Sequence, residues 1–275
     1  MESMVSVWER AALGVVPGVQ YFRLEGWNEA ITTTFEVVWG ESSAYTPLTA
    51  AMSTPYIASS SANDTSAGTG ARTVRIKGMT TAFARFTEDL TMNGQTSVNL
   101  VTTNVLLVDS IEVLTAGSGV LNAGVIRVGT GTNTSGVPAV VHQHLQVSSA
   151  TAIPAAGAGG GNITKCFMYG VPANKTLLMR NISYGSVFAT AAAGMDVAID
   201  GYTNSTGILK RYFIQMSHNT GANPAMNPTL IAVPEKTIIL GKLAGVTGSN
   251  TGPASLAADC LLIDLATSNN NQVIF

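Results

Sequence analysis

The chain has 275 residues, 46% of them apolar and only 11% charged, with 14 Lys and Arg against 16 Asp and Glu for a net charge of −2. Soluble domains average about 25% charged residues, so Thr, Ser, Asn and Gly must supply the surface polarity here, and such a surface desolvates at lower cost than one of ions. The densest basic stretch is Arg72, Arg75 and Lys77, with Lys210-Arg211 a lone pair elsewhere; neither makes an electrostatic footprint for nucleic acid, and no aromatic and basic residues interleave to hold a single strand.

Met4 to Leu13 is the best helix candidate, and it is short. The apolar stretch from Ala11 to Val19 is interrupted by Gly14, Pro17 and Gly18, so it reads as neither a signal peptide nor a membrane span. Ser59 to Gly70 is a low-complexity run of small residues, either a flexible loop or, through Asn63-Asp64 and Gly68-Thr69-Gly70, a tight backbone-bonded turn. Thr73 to Lys77 alternates apolar and polar residues at period two and predicts a half-buried strand with Val74 and Ile76 inward. A strand from Arg85 to Met92 follows, then Asn93-Gly94, a favoured hairpin pair, with a return strand from Val98.

Val105 to Leu114 alternates until Asp109-Ser110, where the phase changes, which reads as a bulge or bend. Gly117-Ser118-Gly119 is a turn before a strand at Val125 to Val128. Ala155 to Gly161 is a Gly/Ala run near the middle of the chain, read as the linker between two domains. Further strands are predicted at Thr176 to Ile182, Met195 to Ile199, Ile208 to Met216, Thr237 to Leu240 and Asp259 to Leu265. Val171-Pro172-Ala173-Asn174-Lys175-Thr176 echoes Val233-Pro234-Glu235-Lys236-Thr237, as two strand starts at one end of a sandwich would.

The expected fold is therefore all-β: two antiparallel β-sandwich or jelly-roll modules joined by a Gly/Ala-rich linker. The expected division is an arm over residues 1–15, a first sandwich over 16–150 and a second over 151–275.

No residue stands out as catalytic, cofactor-binding or metal-ligating. His142 and His144, spaced i, i+2, share a strand face and could chelate a metal, but the nearest acids in sequence are Glu112 and Asp196. The pair reads instead as facing solvent or an interface. Glu88 and Asp89 point to opposite faces of a strand, and Asp196 and Asp200 stand about 13 Å apart along one, with Asp200-Gly201 resembling a turn. Asp109 and Glu112 lie at the bend. Cys166 and Cys260, without a CxxC partner, read as buried free thiols. No nucleophile elbow or phosphate loop occurs.

The segment from Ser59 through Asn63-Asp64-Thr65-Ser66-Ala67-Gly68-Thr69-Gly70-Ala71-Arg72 to Ile76 resembles a segment of tailed-bacteriophage virion structural proteins. There it is followed by a Gly-Leu-Asp strand end (here Gly78-Met79-Thr80) and a Thr-Leu/Met-Asn-Gly turn (here Thr91 to Gly94). An Ala-Gly-Ser-Gly stretch running to Asn-Ala-Gly-x-Ile comes next, here Ala116 to Ile126; Val171 to Thr176 and Pro234 to Thr237 match later strand starts. The match spans roughly residues 59 to 240, and its most specific block is Asn63 to Arg72. It departs from the pattern at Thr80 to Phe86, where Thr-Thr-Ala-Phe-Ala-Arg-Phe replaces an acidic turn.

The resemblance implies a non-enzymatic component of the virion, decorating or cementing the capsid exterior through the major capsid protein or other virion proteins. It carries no site residues over. It implies no cofactor, nucleic acid or membrane, and a homo-oligomer, a trimer by analogy with phage decorations and fibres. The alternative is a tail-associated fibre, baseplate or adaptor protein that binds host glycan, in which an exposed Trp or Tyr would stack on sugar.

Overall fold

The computed structural model describes residues 6–28, 31–39, 45–147, 162–186, 194–203, 208–217, 225–246 and 252–268. Helix α1 (Val7–Ala12) opens it, and a capping box between Ser6 and Glu9 satisfies its first N–H groups. Strands β1 (Val19–Asn28) and β2 (Glu36–Val37) follow. Then come β3 (Tyr56–Ser59), β4 (Ala71–Thr80), β5 (Arg85–Thr91), β6 (Val98–Asn99), β7 (Val105–Ala116), β8 (Ile126–Thr134) and β9 (Val137–Leu145). The remainder is β10 (Met168–Gly170), β11 (Lys175–Ser186), β12 (Met195–Thr203), β13 (Ile208–Ser217), β14 (Ala225–Asn227), β15 (Ile231–Val233), β16 (Thr237–Gly245), β17 (Ala254–Asp264) and α2 (Leu265–Ser268).

The fold is all-β, and its strand pairs are antiparallel. One sheet runs β6-β3-β8-β9 and packs on a second, β5-β4-β7, around Ile57, Val74, Ile76, Val108, Ile111, Ile126 and Val128. A third sheet runs β1-β17-β11-β14, with β15 also on β11. It packs on a fourth, β10-β16-β12-β13 with β2 on β16, around Leu24, Phe167, Leu177, Val197, Ile199, Ile239 and Leu256. The result is two sandwiches, an inner one from β3 to β9 and an outer one from the rest.

The expected division at residues 15/16 and 150/151 does not follow these sheets. β1 pairs with β17 over its whole length, from Val19 opposite Ile263 to Asn28 opposite Ala254, and β2 pairs with β16. β1 and β2 therefore belong to the outer sandwich, and the inner one is inserted between β2 and β10. Nothing in the local pattern of β1 names its partner, because a strand's period fixes its face and not its neighbour. The Gly/Ala run Ala155 to Gly161 lies outside the described residues.

Burial on both faces explains two uninterrupted apolar runs. In β17, Leu256, Ala258, Cys260 and Leu262 enter the outer core, while Leu261 and Ile263 pack under Trp8 and Ala11 of α1. In β16, Ile239 and Leu243 enter the same core, while Ile238 and Leu240 face the inner sandwich. The fourth sheet is thus a middle layer. The bulge predicted at Asp109 is present, since Lys77 pairs with Ser110 and Gly78 with Val108. The Val-Pro echo is also spatial: Lys236 N–H donates to Val171 O and Val171 N–H to Thr237 O. Asn174 and Lys236, each three positions after its Val, both adopt positive φ.

Candidate functional site

The segment that carries the resemblance is a structural knot. Asp64 is fully buried. Its Oδ1 accepts from Ala71 N–H at 2.6 Å and Ala123 N–H at 2.8 Å, and its Oδ2 from Gly124 N–H at 2.9 Å and the Ser59 hydroxyl at 2.5 Å. Asp64 O also accepts from Gly94 N–H at 2.7 Å. Four separate segments converge on one residue, so the small residues form the backbone-bonded turn and not the loose loop. A Cβ on Gly70 would stand 2.1 Å from Asp64 Oδ1, and one on Gly117 would stand 2.1 Å from Gly68 O. These glycines are required by close approach.

Asn93-Gly94 is not a hairpin turn, as the pattern predicted. Gly94 has positive φ, but β6 pairs with β3 and not with β5, and the turn serves to seat Gly94 on Asp64.

The two sandwiches meet in a third apolar cluster, the seam. Met79, Phe83, Leu106 and Leu107 come from the inner one, and Val37, Trp39, Cys166, Met168, Ile238 and Leu240 from the outer. Phe83 sits in the β4–β5 turn with φ 55, a costly conformation for an aromatic residue, and is buried. Beside it Arg85 makes a two-pronged ion pair with Asp109 and lies 5.1 Å from the Tyr169 ring centroid. The turn that departs from the resembled pattern is therefore the one that grips the other sandwich. Polar links close the seam: Gln143 Nε2 donates to Val108 O at 3.1 Å and to Cys166 Sγ at 3.2 Å, and the Cys166 thiol donates to Asp109 O. Ala173 N–H donates to Phe83 O.

His142 and His144, expected to face solvent or an interface, are both buried. A bulge at His142, where Gln143 pairs with Val128 but Val141 with Gly129, breaks the strand's alternation. His142 Nε2 shares a hydrogen with the Thr130 hydroxyl at 3.2 Å. His144 stands edge-on to Trp39, with ring centroids 5.2 Å apart, and its Nδ1 has no hydrogen-bond partner among the described residues. Burial drives its pKa down to about 3, assisted by Arg127, and burial also lowers that of His142.

The acids are structural partners. Asp89 receives two bonds from Arg75, both 2.8 Å, on the outward face, and Glu88 caps the N–H groups of Val101 and Thr102. Glu112 pairs with Lys77 at 3.2 Å. Asp200 is fully buried, held by Arg211 Nε at 2.8 Å and Lys242 Nζ at 3.0 Å. Burial pushes its carboxyl up, but hydrogen bonds from those cations outweigh that and leave its pKa below the ordinary value. Asp200-Gly201 is mid-strand and not a turn; Gly201 is needed because a Cβ there would meet the Tyr212 ring at 2.4 Å.

Beside the seam lies a cleft of about 330 Å³, lined by Thr32, Thr34, Phe35, Glu36, Val37, Tyr45 and Lys242. Its charges are already engaged within the chain, Lys242 by Asp200 and Glu36 by Thr32. Among the described residues no group of three His, Cys, Asp or Glu is placed to hold a metal, and no helix is long and apolar enough to cross a membrane. Cys166 and Cys260 are free and buried, their pKa values pushed up to about 12 by burial. Trp8 and Trp39 are buried, while Trp27 is half-buried on the outward face of β1.

No protein-family model matches the chain, and no curated protein matches it. The solved structures with a weak likeness include viral ones. The infectious bursal disease virus VP2 subviral particle aligns at 10% identity over 90% of this chain and 71% of that one, with a TM-score of 0.25. The T=1 particles derived from that virus give 10% identity, 90% and 68% coverage and a TM-score of 0.27; its Gx strain gives 10%, 90% and 70%, and 0.28. TM-scores this low do not establish a common fold.

Proposed function

We propose that the chain is a non-enzymatic structural component of a tailed-phage virion. In this reading it decorates or cements the capsid exterior through contacts with the major capsid protein or a neighbouring virion protein, as a homo-oligomer. The supporting observation is the Asp64 knot. The block most specific to the resemblance is spent on architecture, with its one carboxylate fully buried under main-chain donors. Low charge supports the same reading, because interface cores are depleted of charged residues. Cryo-EM of purified particles tests it: the chain should resolve as density on the capsid shell, and its absence from the virion overturns the proposal.

A tail-associated, glycan-binding role is the second reading. Trp27 favours it, being half-exposed on an outward strand face that also presents Arg23 and Glu25. Glycan-array binding lost in Trp27→Ala would move the assignment from capsid to tail. Hydrolysis of a polysaccharide, abolished by one Asp or Glu substitution, would overturn the non-enzymatic reading.

A further inference from the structure

We propose that the seam is an acid latch: the two sandwiches stay docked while His144 is neutral, and its protonation releases the seam before either sandwich unfolds.

The geometry is specific. His144, on β9 of the inner sandwich, packs edge-on against Trp39. Trp39 lies two residues after β2, which is paired to β16 of the outer sandwich, and it also packs on Tyr45 where the chain enters the inner one. An imidazole in this position touches the crossing strand. It is 2% exposed, and its Nδ1 finds no acceptor. A proton on that nitrogen would be a charge buried without a partner, which costs several kcal/mol unless the site opens to water.

The surrounding charges do not relieve it. On β8, Arg127 lies directly across the strand pair from His144 and is itself cationic. On β7, Asp109 is held by Arg85 and Glu112 by Lys77. The segment returning to the outer sandwich brings Lys165, paired with Glu25, and the Cys166 thiol, which burial keeps protonated. The crossing segment brings Tyr45, whose phenol burial keeps neutral. His142, the neighbouring histidine, is tied to Thr130 inside the inner sandwich, where opening the seam leaves it in place.

The sign follows from the buried imidazole. Its native pKa is about 3 against an ordinary 6.5. The open state thus binds a proton that the docked state refuses, so docking is at full strength above pH 6.5 and weakens as pH falls toward 3. Each pH unit in that window favours opening by about tenfold.

The chain carries its own reporters. Cys166 is in the seam and Cys260 in the outer core. The full-length protein is labelled with 4,4′-dithiodipyridine, with rates normalised to a model thiol at each pH. Protection of Cys166 should fall about fiftyfold between pH 6.5 and pH 4.5, while Cys260 stays protected. In His144→Gln and His144→Phe that slope should vanish, and in His142→Gln it should persist. The latch is overturned if Cys166 protection is flat with pH, if the slope survives both His144 variants, or if Cys260 is exposed in parallel. The wild-type contrast between Cys166 and Cys260 decides the question even if a His144 variant fails to fold.

Discussion

Among the described residues each sandwich buries one carboxylate completely, and the two are satisfied by different means. Asp64 in the inner sandwich is met by three main-chain N–H groups and one hydroxyl, with no cation among those donors. Asp200 in the outer sandwich is met by two side-chain cations, Arg211 and Lys242. The first arrangement gathers loops that have no other reason to meet. The second clamps three adjacent strands, β13, β12 and β16, which the hydrogen-bond ladder already holds. A carboxylate bound by backbone sets the path of the chain, whereas one bound by side chains can be exchanged along with its partners.

Substitutions can break that comparison. Asp64→Ala should have the largest effect, a loss of about 4 kcal/mol in urea denaturation, because it strands several buried donors at once. No second substitution should rescue it, since those donors are main-chain. Asp200→Leu should cost about 3 kcal/mol, chiefly from the half-buried Lys242 left unpaired. Adding Lys242→Met should recover at least half of that in the same melt, as apolar replacement of a buried ion pair often does. If Asp64→Ala is rescued and Asp200→Leu is not, the contrast is wrong.

Gly70→Ala sharpens the inner side, for its new Cβ would press on Asp64 Oδ1; a loss of about 2 kcal/mol is expected. On the outer side, the Asp200 pKa lies below the ordinary carboxylate value, so its contribution is complete above that value and is lost as pH falls through the native one. An acid titration of stability should therefore lose its low-pH component in Asp200→Leu. The smallest effect is expected from Ser6→Ala, about 1 kcal/mol, detected as faster amide exchange in α1 alone.

Much of the strand content was legible because alternation is local. Val74 and Ile76 face inward as their period requires, and the phase change at Asp109 marks a real bulge. What stayed hidden was non-local. β1 shows no sign that its partner is β17, and the run Ile238-Ile239-Leu240 shows burial without saying that a second sandwich covers one face. The histidine pair misled because a bulge at His142 cancels the i, i+2 rule. Asp64 was hard to find for a similar reason: a lone acid among small residues looks solvated, and its donors at Ala71, Ala123 and Gly124 come from elsewhere in the chain. The Gly-Thr-Gly spacing was the one available signal, since adjacent glycines in a turn often mark close backbone approach.

The nesting of one sandwich inside the other also orders events during synthesis. Among the described residues β17 is the sheet neighbour of β1. Of these two strands β1 leaves the ribosome first and waits for β17 before its pairing can form. The inner sandwich, whose strands are contiguous in sequence, can close while the outer one is still being made. Before β17 is made the chain is then a folded insert preceded by an unpaired strand, β1, in which Phe22 and Leu24 have not yet found cover. Such an edge is a hazard for association between nascent chains. Arg23 and Glu25, alternating with those residues, are placed to blunt it.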